Sequence, residues 1–144
     1  RGVARLMLRP WRKLRTYGFR LIGLTVVLTV IFDAAVEPFA SRVKHYWLWE
    51  QLKIPLTWHG APFTNFLGWT VVTLLILAFV TPALIKKNAS IKSSPPDYQP
   101  LVVWILLDVL FAVGAAGERL WSAMIFCAAM GITVCIAAIR GGRW

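Results

Sequence analysis

Two carboxyl residues, Asp33 and Glu37, stand four residues apart in a stretch that is otherwise apolar enough to cross a membrane. An acid in the hydrocarbon costs about 2.5 kcal/mol or more, so both side chains need compensating partners. Thr25 and Thr29 continue the same four-residue spacing, which places all four polar side chains on one narrow stripe of a helix. This stripe contains the strongest candidates for chemistry in the chain.

The two acids admit three interpretations. They could make a structural hydrogen bond or ion pair between helices, with Arg42 or Lys44 as the cation. They could donate a proton to a bound apolar substrate, or they could contact a ligand or an ion pathway. Because Pro38 follows Glu37 and has no N–H, it also frees the carbonyl of Ala34, one turn back.

Polar and aromatic side chains keep helical spacing in the next two apolar stretches as well. The second stretch carries Asn65, Trp69, Thr73 and Thr81, and the third carries Trp104, Asp108 and Ala112. Polar stripes in a membrane turn toward other helices or toward a cavity. We therefore expect the three stripes to meet in a shared interior, with Asp108 in a structural role.

The fourth apolar stretch carries small residues at four-residue intervals. They are Ala123, Cys127, Gly131 and Cys135. Such spacing is typical of closely packed helices, and a groove for a flat pigment or a lipid is the alternative. The two cysteines lie about 12 Å apart along a helix, which is too far for a disulfide. His45 and His59 are expected to be interfacial residues, so no metal site is predicted; the alternative is that either imidazole ligates the magnesium of a chlorophyll.

Composition sets the fold class. Of the 144 residues, 58% are hydrophobic and 15% are charged, well below the quarter that is typical of soluble domains. The sequence predicts an all-α polytopic membrane protein with transmembrane helices at about 17–40, 65–85, 101–117 and 120–139. These form one domain, 17–144, preceded by a basic interfacial segment, 1–16. The loop 41–63 is rich in aromatic residues, which predicts a short interfacial helix and then a turn around Gly60–Pro62.

The net charge of +10 is unevenly distributed. Twelve basic residues fall on one side of the predicted helices and four on the other, which predicts both termini in the cytoplasm. The N-terminal segment is expected to lie as a helix, broken near Pro10, on anionic lipid rather than on nucleic acid. The residues expected to touch the membrane surface are Arg5, Arg9, Trp11, Arg12, Lys13 and Arg15.

Three strings, FDAAVEPFA, YWLWEQ and PLTWHGAPFTNFLGW, resemble the membrane-integral carotenoid biosynthesis protein family, which includes carotenoid 1,2-hydratases. The resemblance is clearest over residues 20–84. The matching elements are Asp33 with Pro38, Trp47 with Trp49, and Pro62 with Asn65, Phe66, Gly68 and Trp69. Members of that family are longer, and these elements lie in their C-terminal half.

The resemblance implies hydration of a terminal double bond in a linear carotenoid. Asp33, with Glu37 beside it, would supply the proton, and aromatic faces would stabilise the resulting cation. Trp47, Trp49 and Trp69 would line the pocket for the end group. We expect contacts to a pigment or lipid from a wider set, namely Trp47, Trp49, Trp58, Asn65, Trp69, Trp104 and Asp108.

Two functions are therefore open. The first is an accessory subunit of a photosynthetic reaction-centre or light-harvesting complex in the cytoplasmic or photosynthetic membrane, holding carotenoid or lipid among other membrane subunits. The second is a carotenoid 1,2-hydratase, or half of one. The sequence specifies no cofactor beyond a bound carotenoid or lipid, and it leaves open whether the chain is an enzyme.

Overall fold

The computed structural model describes residues 1–50, 56–86 and 95–144, with residues 82–86 described by their backbone alone. Helices dominate the described chain. They are α1 (Gly2–Met7), α2 (Tyr17–Pro38), α3 (Phe63–Lys86), α4 (Gln99–Gly117) and α5 (Trp121–Gly142). A two-residue hairpin, β1 (Thr57–Trp58) and β2 (Ala61–Pro62), lies between α2 and α3. Four of the helices are long and apolar enough to cross a membrane, which confirms the predicted all-α membrane fold.

The helix boundaries lie within three residues of those predicted from the apolar runs. The largest difference is at the end of α5, which continues through Arg140 to Gly142. Helix α4 begins two residues before Leu101, at Gln99, because Pro100 is well suited to the first turn of a helix.

Helix α2 lies at the centre of the arrangement and packs against α3, α4 and α5, whereas α3 packs mainly against α2. We call the end of the bundle that holds the β1–β2 hairpin the hairpin end. The opposite end holds α1, the start of α2 and the end of α5, and we call it the terminal end. Whether the terminal end faces the cytoplasm stays a prediction from the basic residues.

The aromatic loop differs from its prediction. A π-helical turn at Phe39–Val43 continues α2, and the chain from His45 to Glu50 is irregular, so these described residues hold no separate interfacial helix. The part of that prediction on residues 51–55 lies outside the described residues. The tight turn is at His59 and Gly60, whose φ angles of 49° and 97° suit a two-residue hairpin connection.

The N-terminal segment is helical over Gly2–Met7 and then forms a 3₁₀ turn at Arg9–Trp11, where Pro10 interrupts it. Val3, Ala4 and Leu6 are buried against the bundle, so α1 covers the terminal end with its apolar face. Gly141 permits this approach, because a Cβ there would collide with the carbonyl of Leu6. The side chains of Arg5, Trp11, Arg12, Lys13 and Arg15 are exposed and that of Arg9 is partly buried. Their contact with anionic lipid stays a prediction.

Candidate functional site

The last two turns of α2 meet the first turn of α3 through a pair of acids and one amide. The Nδ2 group of Asn65 donates to Asp33 Oδ2 at 2.8 Å and to Glu37 Oε1 at 2.9 Å. One amide therefore joins two carboxyl groups that follow each other on the same face of α2. The structure joins two acids from the first predicted polar stripe to an amide from the second.

Two indole groups complete the environment of Glu37. Trp47 Nε1 and Trp49 Nε1 both donate to Glu37 Oε2, at 3.2 and 3.0 Å. The irregular chain after the π-helical turn makes this possible, because it doubles back over the end of α2. Glu37 is only 1% exposed, and three neutral donors satisfy its two oxygens. Arg42, considered as an ion-pair partner, instead donates Nε to the carbonyl of His59 at 3.1 Å.

The third tryptophan of the loop satisfies the backbone next to the acids. Pro38 leaves the carbonyl of Ala34 without its helical donor, and Trp58 Nε1 donates to that carbonyl at 2.8 Å. The hydroxyl of Ser41 donates to the carbonyl of Glu37 at 2.6 Å. The loop is thus hydrogen-bonded to the end of α2 at both side chains and backbone. We call the group of Asp33, Glu37, Trp47, Trp49, Trp58 and Asn65 the acid cluster.

The hairpin also contacts α5, which no sequence pattern indicated. The rings of Trp58 and Phe126 have centroids 5.4 Å apart, and His59 Nε2 lies 3.1 Å from Ser122 Oγ. Burial, with the nearby charge of Arg42, lowers the pKa of His59 below its usual value. Neither Ser122 nor Phe126 stood out in the sequence, because each is an ordinary residue in an apolar helix.

The two histidines have different surroundings. The Nε2 atom of His59 is engaged by Ser122, and His45 is exposed. Within residues 1–50, 56–86 and 95–144, no group of three or more His, Cys, Asp or Glu side chains could hold a metal ion.

The other members of the polar stripes predicted on α2 and α3 make no hydrogen bond to the acid cluster within the described residues. The hydroxyls of Thr25 and Thr29 donate to carbonyls one turn earlier in their own helix, so they need no partner from another helix. Thr73 and Thr81 are buried on α3. Trp69, expected to line the pocket for an end group, is 43% exposed on α3, one turn from Asn65.

Asp108 belongs to a different part of the molecule. It is 4% exposed and lies beside Gly131 of α5, and its Oδ1 has no hydrogen-bond partner within the described residues. Trp104, one turn away, packs its ring against Phe32 with the centroids 4.7 Å apart, and its Nε1 finds no acceptor among the residues that the structure describes. The polar stripes therefore form two separate sites instead of one shared interior.

The two acids of the cluster differ in how many of their oxygens accept a hydrogen bond. Asp33 uses Oδ2 to bind Asn65, whereas both oxygens of Glu37 are occupied, so Oδ1 of Asp33 is the oxygen left for a reacting group. Asp33 is also the more accessible acid, at 9% exposed. Trp47, 40% exposed, presents an aromatic surface at the same end of α2.

Comparison with known proteins identifies the family. Neither the curated proteins nor the solved structures gave a match. The family model described as carotenoid biosynthesis protein matches residues 2–138, a range that extends well beyond residues 20–84, where the resemblance was clearest. Because that match covers nearly the whole chain, including the acid cluster, Asp108, three of the long helices in full and α5 as far as Ala138, the chain belongs to the carotenoid biosynthesis protein family.

Proposed function

We propose that this chain adds water to the terminal double bond of a linear carotenoid at the hairpin end of the bundle. The observation that carries the proposal is the bridge from Asn65 to Asp33 and Glu37. It holds two acids side by side in the last two turns of a membrane helix, within reach of one amide. Family membership supports carotenoid as the substrate class.

Asp33 is the proton donor in this mechanism. Its carboxylic acid gives a proton from Oδ1 to the less substituted carbon of the double bond, which leaves a tertiary cation on the neighbouring carbon. The oxygen of a water molecule then adds to the cation, and the proton that this water loses returns to the carboxylate of Asp33. The sum is one alkene plus one water giving one tertiary alcohol.

The neighbouring groups orient the acid and stabilise the cation. Asn65 holds the Oδ2 of Asp33 and so fixes the direction in which Oδ1 points. Glu37, held by Trp47 and Trp49, places a second carboxyl group next to the developing positive charge. The faces of these indoles attract a cation through their negative electrostatic surface.

The test is expression of the chain in a bacterium that accumulates a linear carotenoid, with mass spectrometry of the extracted pigments. The expected product carries the mass of one added water, and Asp33→Asn is expected to abolish it. Glu118→Gln is the matched control, because Glu118 is an exposed acid in the turn between α4 and α5. Equal product from wild type and Asp33→Asn would contradict the role of Asp33. Absence of product from a correctly folded wild type would contradict the activity itself.

A second candidate is a non-catalytic subunit that holds carotenoid or lipid within a larger pigment–protein complex. The observation that favours it is that Glu37 finds all its donors within the chain, as expected of a structural hydrogen-bond network. Purification from the native photosynthetic or cytoplasmic membrane distinguishes the two. Co-purification with pigment and other membrane subunits, without hydration activity, would favour the subunit.

A further inference from the structure

We propose that the groove between α4 and α5 binds the hydroxylated end of a linear isoprenoid, with Asp108 accepting a hydrogen bond from its hydroxyl. The proposal rests on the proposed function, since that reaction makes such an end group. It assigns Asp108 to retention of the alcohol, away from the acid cluster. The groove has a volume of about 430 Å³, and Asp108 and Gly131 lie on its walls.

The unpartnered acid is the first observation. Asp108 is 96% buried, and its Oδ1 has no donor among the described residues. An unpaired carboxyl group inside a membrane is costly, and such residues usually mark functional sites. The groove offers access to this acid because small residues, Ala112 and Ala128, form part of its walls.

The depth of Asp108 restricts what can supply the donor. It is nine residues from each end of α4 (Gln99–Gly117), which is about 14 Å in each direction along the helix. In a hydrocarbon layer about 30 Å thick, this places it near the middle. Phospholipid headgroups stay at the surface, so the donor has to belong to a molecule that lies within the hydrocarbon.

The shape of the groove favours a thin chain over a helix of another protein. Val109 and Ile132, which line it, are exposed and project from α4 and α5 on either side. An α-helix with its side chains is about 10 Å wide, too wide to descend between these residues to Asp108. A hydrocarbon chain fits such a slot.

A second cavity continues the path toward the terminal end. Ile136 lines both cavities, and the second, of about 640 Å³, extends to Trp11, Arg140 and Trp144. From Gly131 to Gly141 the path follows α5 for about 15 Å. This room suits a long linear molecule whose polar end lies at Asp108.

A hydroxyl is the donor that best matches this site. It donates one hydrogen bond and remains small enough for a slot between two helices. It is also neutral, so a molecule that carries it can enter from the hydrocarbon without bringing a charge. The end group made by hydration has this chemistry, whereas the unreacted alkene has no donor.

Binding of phytol and of its matching hydrocarbon, phytane, to the purified full chain in lipid nanodiscs tests the proposal. Wild type is expected to retain phytol about tenfold more strongly than phytane, the effect of one hydrogen bond to a carboxyl group. Asp108→Leu should remove this preference and leave phytane binding unchanged. Asp108→Asn, which keeps an acceptor oxygen, should lose less of the preference than Asp108→Leu.

Two further variants distinguish binding in the groove from binding at the acid cluster. Ala128→Leu fills the groove from its exposed side and should weaken both ligands, whereas Asp33→Asn should leave the preference for phytol intact. Equal retention of the two ligands by wild type, or an unchanged preference in Asp108→Leu, would overturn the proposal. So would an oligomer that Asp108→Leu dissociates, without preference for the alcohol, since that result points to a partner helix.

The pigment assay described above keeps the two proposals distinguishable. Hydration without selective retention of phytol would remove only the groove as a binding site for the alcohol. Selective retention of phytol without hydration would contradict the proposed reaction and would still support the groove as a binding site for isoprenoid alcohols.

Discussion

The acid cluster and the α4–α5 groove solve the same problem, an acid inside a membrane, in opposite ways. Glu37 receives three hydrogen bonds from side chains of its own chain, and Asp33 shares one of the donors. Asp108 is buried to a similar degree, and its Oδ1 has no donor within residues 1–50, 56–86 and 95–144. The comparison teaches that burial of an acid does not by itself reveal its role, because the supply of donors separates a preorganised site from one that awaits an occupant.

The largest expected effect comes from breaking the bridge at Asn65. Asn65→Leu leaves Asp33 without its donor and Glu37 with one fewer, so we expect a loss of about 3 kcal/mol in the free energy of unfolding. Denaturation of the purified protein in mixed micelles measures it. The exposed residue Thr64, next in sequence, provides the control Thr64→Leu, for which little change is expected. A loss equal to that of the control would mean that the bridge contributes nothing to stability.

In the α4–α5 groove, by contrast, we expect a substitution to increase the free energy of unfolding. Asp108→Leu removes an acid whose Oδ1 is unpaired, so in the absence of any isoprenoid it should raise the free energy of unfolding by about 2 kcal/mol. The same denaturation measurement applies, with Asp108→Asn as the variant that keeps the shape of the side chain. Destabilisation by Asp108→Leu would show that Asp108 has a partner in the empty protein, and the contrast between the two regions would be lost.

A smaller effect tests the indole donors. Trp49→Phe keeps an aromatic ring but removes the N–H that reaches Glu37, and it should cost about 1 kcal/mol. Combining it with Asn65→Leu in a double-mutant cycle should show coupling, because both donors serve the same carboxyl group. Trp69→Phe, at an exposed position outside the acid cluster, is the matched control and should be neutral. Additive effects of Trp49→Phe and Asn65→Leu would contradict a shared network.

The smallest expected effect is the pH dependence of the stability of the hairpin. Because the pKa of His59 is lowered in the folded protein, the unfolded chain takes up more protons as the pH falls through the usual histidine value of about 6.5. The stability contributed by the neutral ring is therefore complete above that pH and declines below it. Protection of the hairpin from proteolysis, followed against pH, measures the decline. His59→Gln should remove the pH dependence, and a decline that persists in this variant would assign it to another group.

The sequence predicted the helices and part of the acid cluster for clear physical reasons. Long apolar runs determine which segments form membrane-spanning helices, and the four-residue spacing places Asp33 and Glu37 on one face of α2. The free carbonyl of Ala34 followed from Pro38, although the identity of its donor, Trp58, did not. Residues close in sequence obey local geometry, which is why these predictions agree with the structure.

The separation of Asp108 from the acid cluster could not be predicted, because periodicity gives a face within one helix but not the rotation of that helix against its neighbours. The contact between His59 and Ser122, which are 63 residues apart in sequence, could not be predicted for the same reason. A turn around Gly60–Pro62 was predicted, but its hairpin form depends on positive φ angles at His59 and Gly60, and a positive φ is uncommon for any residue other than glycine.

The bridge at Asn65 has a consequence for biosynthesis. During synthesis, Asp33 precedes the amide of Asn65 by 32 residues, and Glu37 precedes it by 28. Until then the end of α2 carries two acids that lack this donor, so its release into lipid is unfavourable while α3 is incomplete. Helices α2 and α3 should consequently leave the translocation channel together, as a pair already joined by one side chain.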